Sequence, residues 1–137
     1  MGLLGEVHCY HLVVKILKIY SDNEIFIEVE TSQIPWLKIF TQHPYKELSQ
    51  VDTKLRYKLF DTLNIIEKEM LCYYTPTKIN IASFGNYLPQ VHFHIMARFE
   101  DDQFFPEPMW GKPQRYQIDL SLPPLETFIL NIQNKLQ

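Results

Sequence analysis

Gln90-Val91-His92-Phe93-His94-Ile95-Met96-Ala97 alternates polar and apolar side chains over its first six positions. That is the period of a β-strand, on which every second residue shares a face. Val91, Phe93 and Ile95 then point into a core, and Gln90, His92 and His94 line the opposite, open face. Burial of the apolar trio pins the register, because a slip of one residue would turn the histidines inward. The row Gln, His, His has three chemical readings. It is the polar face of a two-sided strand, or part of a metal site when a third ligand converges on His-x-His. The third is a nucleophilic centre, since neutral imidazole, with a pKa of about 6.5, can attack phosphorus. The other histidines, His8, His11 and His43, sit in unconnected segments, and no Asp or Glu stands at ligand spacing beside the pair.

Outward from this strand the chain alternates between the two regular periods. Lys78 to Phe84 is a short apolar strand closed by Gly85-Asn86. Before it, Leu55, Leu59, Leu63, Ile66 and Met70 recur at intervals of three or four and form the apolar stripe of a long helix. Ser49 and Asp52 have the spacing of a capping box, which starts that helix near Ser49. Thr75-Pro76 ends it, since the residue before proline disfavours helical geometry. Phe93 is expected to pack on this stripe, against Leu59, Leu63 and Ile66. Nearer the N-terminus, Glu24 to Glu30 alternates as a half-buried strand and Trp36 to Phe40 reads as another, while Leu12 to Tyr20 suits a strand or a short helix. After the proline- and aromatic-rich loop from Glu100 to Pro113, Tyr116, Ile118 and Leu120 suggest an extended segment. Leu125, Phe128, Ile129, Ile132 and Leu136 then have helical spacing, entered through Pro123-Pro124. The pattern is α+β: one domain over 1–137, an antiparallel sheet with a long helix packed on one face.

Composition narrows the function classes. With 137 residues, 46% of them hydrophobic, the chain can bury a real core. A net charge of −3 argues against a nucleic-acid partner held by bulk electrostatics, and leaves room for a small anion bound by local donors. No apolar run reaches membrane-spanning length, and the opening Met1-Gly2-Leu3-Leu4-Gly5-Glu6 lacks the Ser or Thr of a myristoylation signal. The expected setting is cytoplasmic, with Cys9 and Cys72 reduced.

The stretch Gly85-Asn86-Tyr87-Leu88-Pro89-Gln90-Val91-His92-Phe93-His94-Ile95-Met96 resembles the signature of the histidine-triad (HIT) family, in which a Gly-Gln-Ser/Thr turn precedes His-φ-His-φ-His-φ-φ, φ being apolar. The order of elements is similar to the HIT core. Arg98-Phe99-Glu100-Asp101-Asp102 followed by Phe105-Pro106-Glu107-Pro108-Met109-Trp110-Gly111 resembles a bacterial, diadenosine-polyphosphate-hydrolase-like branch, so that the likeness covers about residues 19–111.

The resemblance implies a HIT-like fold, a homodimer, and a nucleotide substrate attacked at its α-phosphorus. His92 matches the histidine that forms a covalent nucleotidyl intermediate, and His94 matches the third histidine, implied to contact phosphate. Asn86 and Ser83 fall on positions that bind phosphate or ribose. No metal is bound by the protein on this reading, although Mg²⁺ can accompany a polyphosphate. Three departures stand out. Gln90 replaces the first histidine, so it can orient His92 but not shuttle a proton. Tyr87 replaces Ser or Thr, and Trp36 falls where many members carry histidine. Trp36 and Trp110 each suit stacking on a base or packing in a core. A nucleotide-binding protein with weak or no catalysis is the alternative.

Overall fold

The computed structural model describes residues 18–137. Five antiparallel strands form one open sheet: β1 (Lys18–Ser21), β2 (Ile25–Val29), β3 (Trp36–Thr41), β4 (Lys78–Ala82) and β5 (His92–Arg98), in the spatial order β1-β2-β3-β5-β4. Among the described residues the α-helices are α1 (Thr53–Tyr74) and α2 (Leu125–Leu136). This is the α+β arrangement that the alternating segments and the helical stripe imply. Of the segment from Leu12 to Tyr20, residues 18–20 belong to β1, and the remainder, with Cys9, His8 and His11, lies outside the described residues. No described helix is long and apolar enough to cross a membrane.

One face of the sheet carries Ile27, Ile39, Phe93 and, one row along, Val29, Leu37 and Ile95, paired across β2, β3 and β5. The stripe of α1 covers them: Leu59, Leu63, Ile66 and Met70 are almost fully buried and share one core with Phe93 and Ile95. α2 docks beside α1. Its Phe128 and Ile132 are fully buried, with the Phe128 ring 5.2 Å from Tyr74. Asn131 donates to the Glu69 carboxylate at 2.8 Å, and Gln133 donates to the Ile19 carbonyl at 2.7 Å, tying the C-terminal helix to the first strand.

Three expectations need correction. The helix starts at Thr53, not near Ser49: Asp52 is its N-cap and accepts the Leu55 N–H at 2.9 Å. The reciprocal capping pair belongs instead to Glu47 and Gln50, around a single 3₁₀ turn at Leu48–Gln50 that Ser49 occupies. Tyr116, Ile118 and Leu120 lie, as expected, outside any helix, and the segment pairs with no strand, because alternation alone supplies no pairing partner. The strand of the histidines begins at His92, so that Gln90 precedes it. Finally, the second face of β5 is not open: His92 is 7% exposed and His94 9%.

Candidate active site

The face of the sheet turned away from α1 is built in rows by strand register. Phe26, Phe40 and His92 form one row, and Glu28, Lys38 and His94 the next. Directly opposed side chains on one face lie close enough to pack. In the first row, the Phe26 and Phe40 rings are 4.8 Å apart and 4° from parallel, and Phe40 stacks on the His92 imidazole at 5.0 Å and 12°. The nucleophile candidate therefore has its ring plane held by an aromatic ladder. In the second row, Lys38 is engaged by Glu30 at 2.8 Å and by Glu28 at 3.9 Å.

The two imidazoles are bound through the same nitrogen to opposite kinds of partner. His92 Nδ1 lies 2.8 Å from the Gln90 carbonyl oxygen. A carbonyl only accepts, so Nδ1 carries the proton and Nε2 the lone pair. His94 Nδ1 lies 3.0 Å from Trp36 Nε1, and indole N–H only donates, so here Nδ1 carries the lone pair. Burial, followed by the neighbouring His92 and Lys38, pushes the His94 pKa down from its usual 6.5 to about 4, against an upward pull from Glu30. At neutral pH His94 is therefore an uncharged ring with Nε2–H as its donor. Ser83 Oγ donates to the His92 carbonyl at 2.7 Å, fixing the start of β5.

Both histidines open into a pocket of about 370 Å³. Asn86 and the backbone of the Gly85 turn line it on one side, and Phe84, Tyr87, Leu88 and Trp110 supply apolar walls. None of these described lining residues carries a fixed charge. Trp110 meets His94, Trp36 and Phe84 edge-on at 4.9, 5.2 and 4.8 Å between ring centroids. Of the residues anticipated from sequence, His92, His94, Asn86 and Trp110 line this pocket. Gln90 does not line it and acts on His92 through its main-chain carbonyl. Ser83 stands behind His92, with its hydroxyl proton committed to the backbone.

The loop that carries Trp110 is anchored below the surface. Arg98 and Asp102, 1% and 0% exposed, form a two-pronged ion pair at 2.9 and 3.1 Å. Arg98 also donates to Asn80 Oδ1 and to the Glu107 carbonyl, while Asp102 accepts the N–H groups of Phe99, Phe104 and Phe105. Burial raises the Asp102 pKa, but Arg98 and the N–H groups of Phe99 and Phe105 outweigh it and hold the carboxyl below its ordinary value. Sequence reasoning assigned no role at the site to Arg98, Asp102 or Phe40. The available signal was parity: Arg98 continues the row of His92 and His94 at the end of the same strand. Among the described residues, no group of three or more His, Cys, Asp or Glu side chains is placed to hold a metal ion.

Comparison with known proteins agrees with this fold. No curated protein sequence matches the chain. A histidine triad protein from Bradyrhizobium japonicum superposes with a TM-score of 0.71 at 25% identity, covering 90% of this chain and 94% of its own. One from Sinorhizobium meliloti gives 0.69 at 24% identity, with 90% and 93% covered. The diadenosine triphosphate hydrolase of Plasmodium falciparum, solved with cyclomarin A, shares the fold at a TM-score of 0.57 and 15% identity, with 88% and 74% covered. Residues 13–101 match the HIT domain model, and on that match the chain belongs to the histidine triad (HIT) family, whose members are generally nucleotide hydrolases or transferases.

Proposed function

We propose that the protein is a nucleotide hydrolase or transferase that acts at the α-phosphorus through a covalent nucleotidyl intermediate on His92. The observation that carries this reading is the hydrogen bond from His92 Nδ1–H to the Gln90 carbonyl. It leaves the Nε2 lone pair as the nucleophile, and the carbonyl stabilises the charge the ring gains on attack. In the first step Nε2 forms a bond to phosphorus, and the bond to the leaving group breaks with its electron pair. His94 Nε2–H and the Asn86 amide donate to phosphoryl oxygens as charge develops there. In the second step water attacks the same phosphorus, the P–Nε2 bond breaks with its electron pair returning to Nε2, and the water's proton passes to solvent as the mononucleotide leaves.

Dinucleoside polyphosphates and nucleoside phosphoramidates both present such a phosphorus. The likeness of Arg98 to Gly111 to the diadenosine-polyphosphate-hydrolase-like branch supports the first class. Mg²⁺ enters on this reading only as a companion of a polyphosphate, and the proposed assembly is a cytoplasmic homodimer. The test is a panel of dinucleoside polyphosphates and adenosine phosphoramidates run against wild type and His92→Ala. Mononucleotide release by wild type and none above background by the variant is expected. Equal rates would overturn the assignment.

A further inference from the structure

Trp36 opens β3 and sits two residues from Lys38, which lies directly opposite His94. A diagonal neighbour on the same face is within reach of a long side chain, and the indole spans the gap to His94 Nδ1 at 3.0 Å. Its ring also meets Trp110, edge-on at 5.2 Å and 77°. Because indole N–H has no acceptor capacity, this contact tolerates one form of His94 only: lone pair on Nδ1, proton on Nε2. Two strand residues away, the Gln90 carbonyl imposes the opposite form on His92.

We infer that Trp36 is a positioning residue that fixes His94 as a neutral Nε2–H donor, complementary to the Nε2 lone pair of His92. The catalytic meaning of this assignment rests on the functional reading above, which it deepens. Protonating His94 at Nδ1 requires the indole bond to break, so Trp36 works in the same direction as burial, His92 and Lys38, and against Glu30 of the segment after β2. The phosphoryl group then meets one aimed hydrogen bond and no positive charge from His94. The same bond closes Nδ1 to any metal ion.

The experiment is ¹⁵N NMR of the imidazole nitrogens in the full-length protein, with His94 signals assigned by their absence in His94→Asn. In wild type His94 should show a protonated Nε2 and a bare Nδ1, and His92 the reverse. Trp36→Phe keeps the aromatic packing but removes the donor. It should let His94 populate both tautomers, move its titration and the acid limb of the rate profile to higher pH, and lower turnover at pH 7 roughly fivefold, the worth of one neutral hydrogen bond. A protonated Nδ1 on wild-type His94, or a tautomer and pH profile unchanged in Trp36→Phe, would overturn the inference. The wild-type spectrum decides even if the variant fails to fold. It reads the tautomer with or without turnover, so failure of the nucleotidyl-transfer reading is a separate result.

Discussion

At the scale of single residues, Gln90 meets His92 through its main chain, so its departure from the family's first histidine is expected to cost little. Its carbonyl, not its side chain, meets His92 Nδ1 at 2.8 Å. Gln90→Ala should therefore keep turnover within about tenfold of wild type, and Gln90→His should preserve it; a loss beyond about 100-fold, or ~2.7 kcal/mol, would show a side-chain contact to the transition state. His94 makes a thermodynamic prediction. Its folded pKa of about 4 lies below the ordinary 6.5, so between those values the unfolded chain binds a proton that the folded one does not. Stability is then lost as pH falls through that window, by up to about 1.4 kcal/mol per pH unit from this residue. Denaturant melts from pH 7 to 4 should show a shallower decline in His94→Asn than in wild type. The residue types of the site were legible in the sequence. The tautomers were not, because Trp36 meets His94 across 58 positions of chain.

At the scale of elements, the strand of the histidines shows what periodicity can and cannot tell. Alternation placed Val91, Phe93 and Ile95 in the core correctly. It could not show that the polar face is also covered, since Phe40, Trp36 and Trp110 come from a neighbouring strand and a later loop. The start of α1 was ambiguous for a similar reason: Ser49 and Asp52 are both good caps, and only the 3₁₀ turn before the helix decides between them. The loop after β5 depends on a buried charge pair. Removing one partner strands the other charge in the interior, so Asp102→Ala should cost about 3–5 kcal/mol. It should also free Trp110 from its place over His94, visible as greater quenching of tryptophan fluorescence by acrylamide. Unchanged stability would mean that Arg98 has another counter-charge.

At the scale of the whole molecule, the C-terminal helix is part of the core. The family resemblance stops near residue 111, yet the spacing of Phe128 and Ile132 correctly marked a helix with one buried face. Nothing in that spacing said where it would dock. Tyr73, Tyr74, Glu69 and the Ile19 carbonyl provide the seat. Phe128→Ala should lower stability by about 3–5 kcal/mol through lost burial and a cavity, read from paired denaturant melts. A change under about 1 kcal/mol would mean that α2 is not docked in solution. The site is assembled from adjacent strands that are distant in sequence: β3 supplies Trp36 and Phe40, β5 the histidines, and the loop after it Trp110. The most direct test of nucleophilic His92 is a millisecond quench of wild type with a substrate that turns over, followed by peptide mass analysis. A nucleotide-sized, acid-labile addition on the peptide carrying His92, absent from His92→Ala, is the predicted result; turnover at full rate in His92→Ala would contradict it.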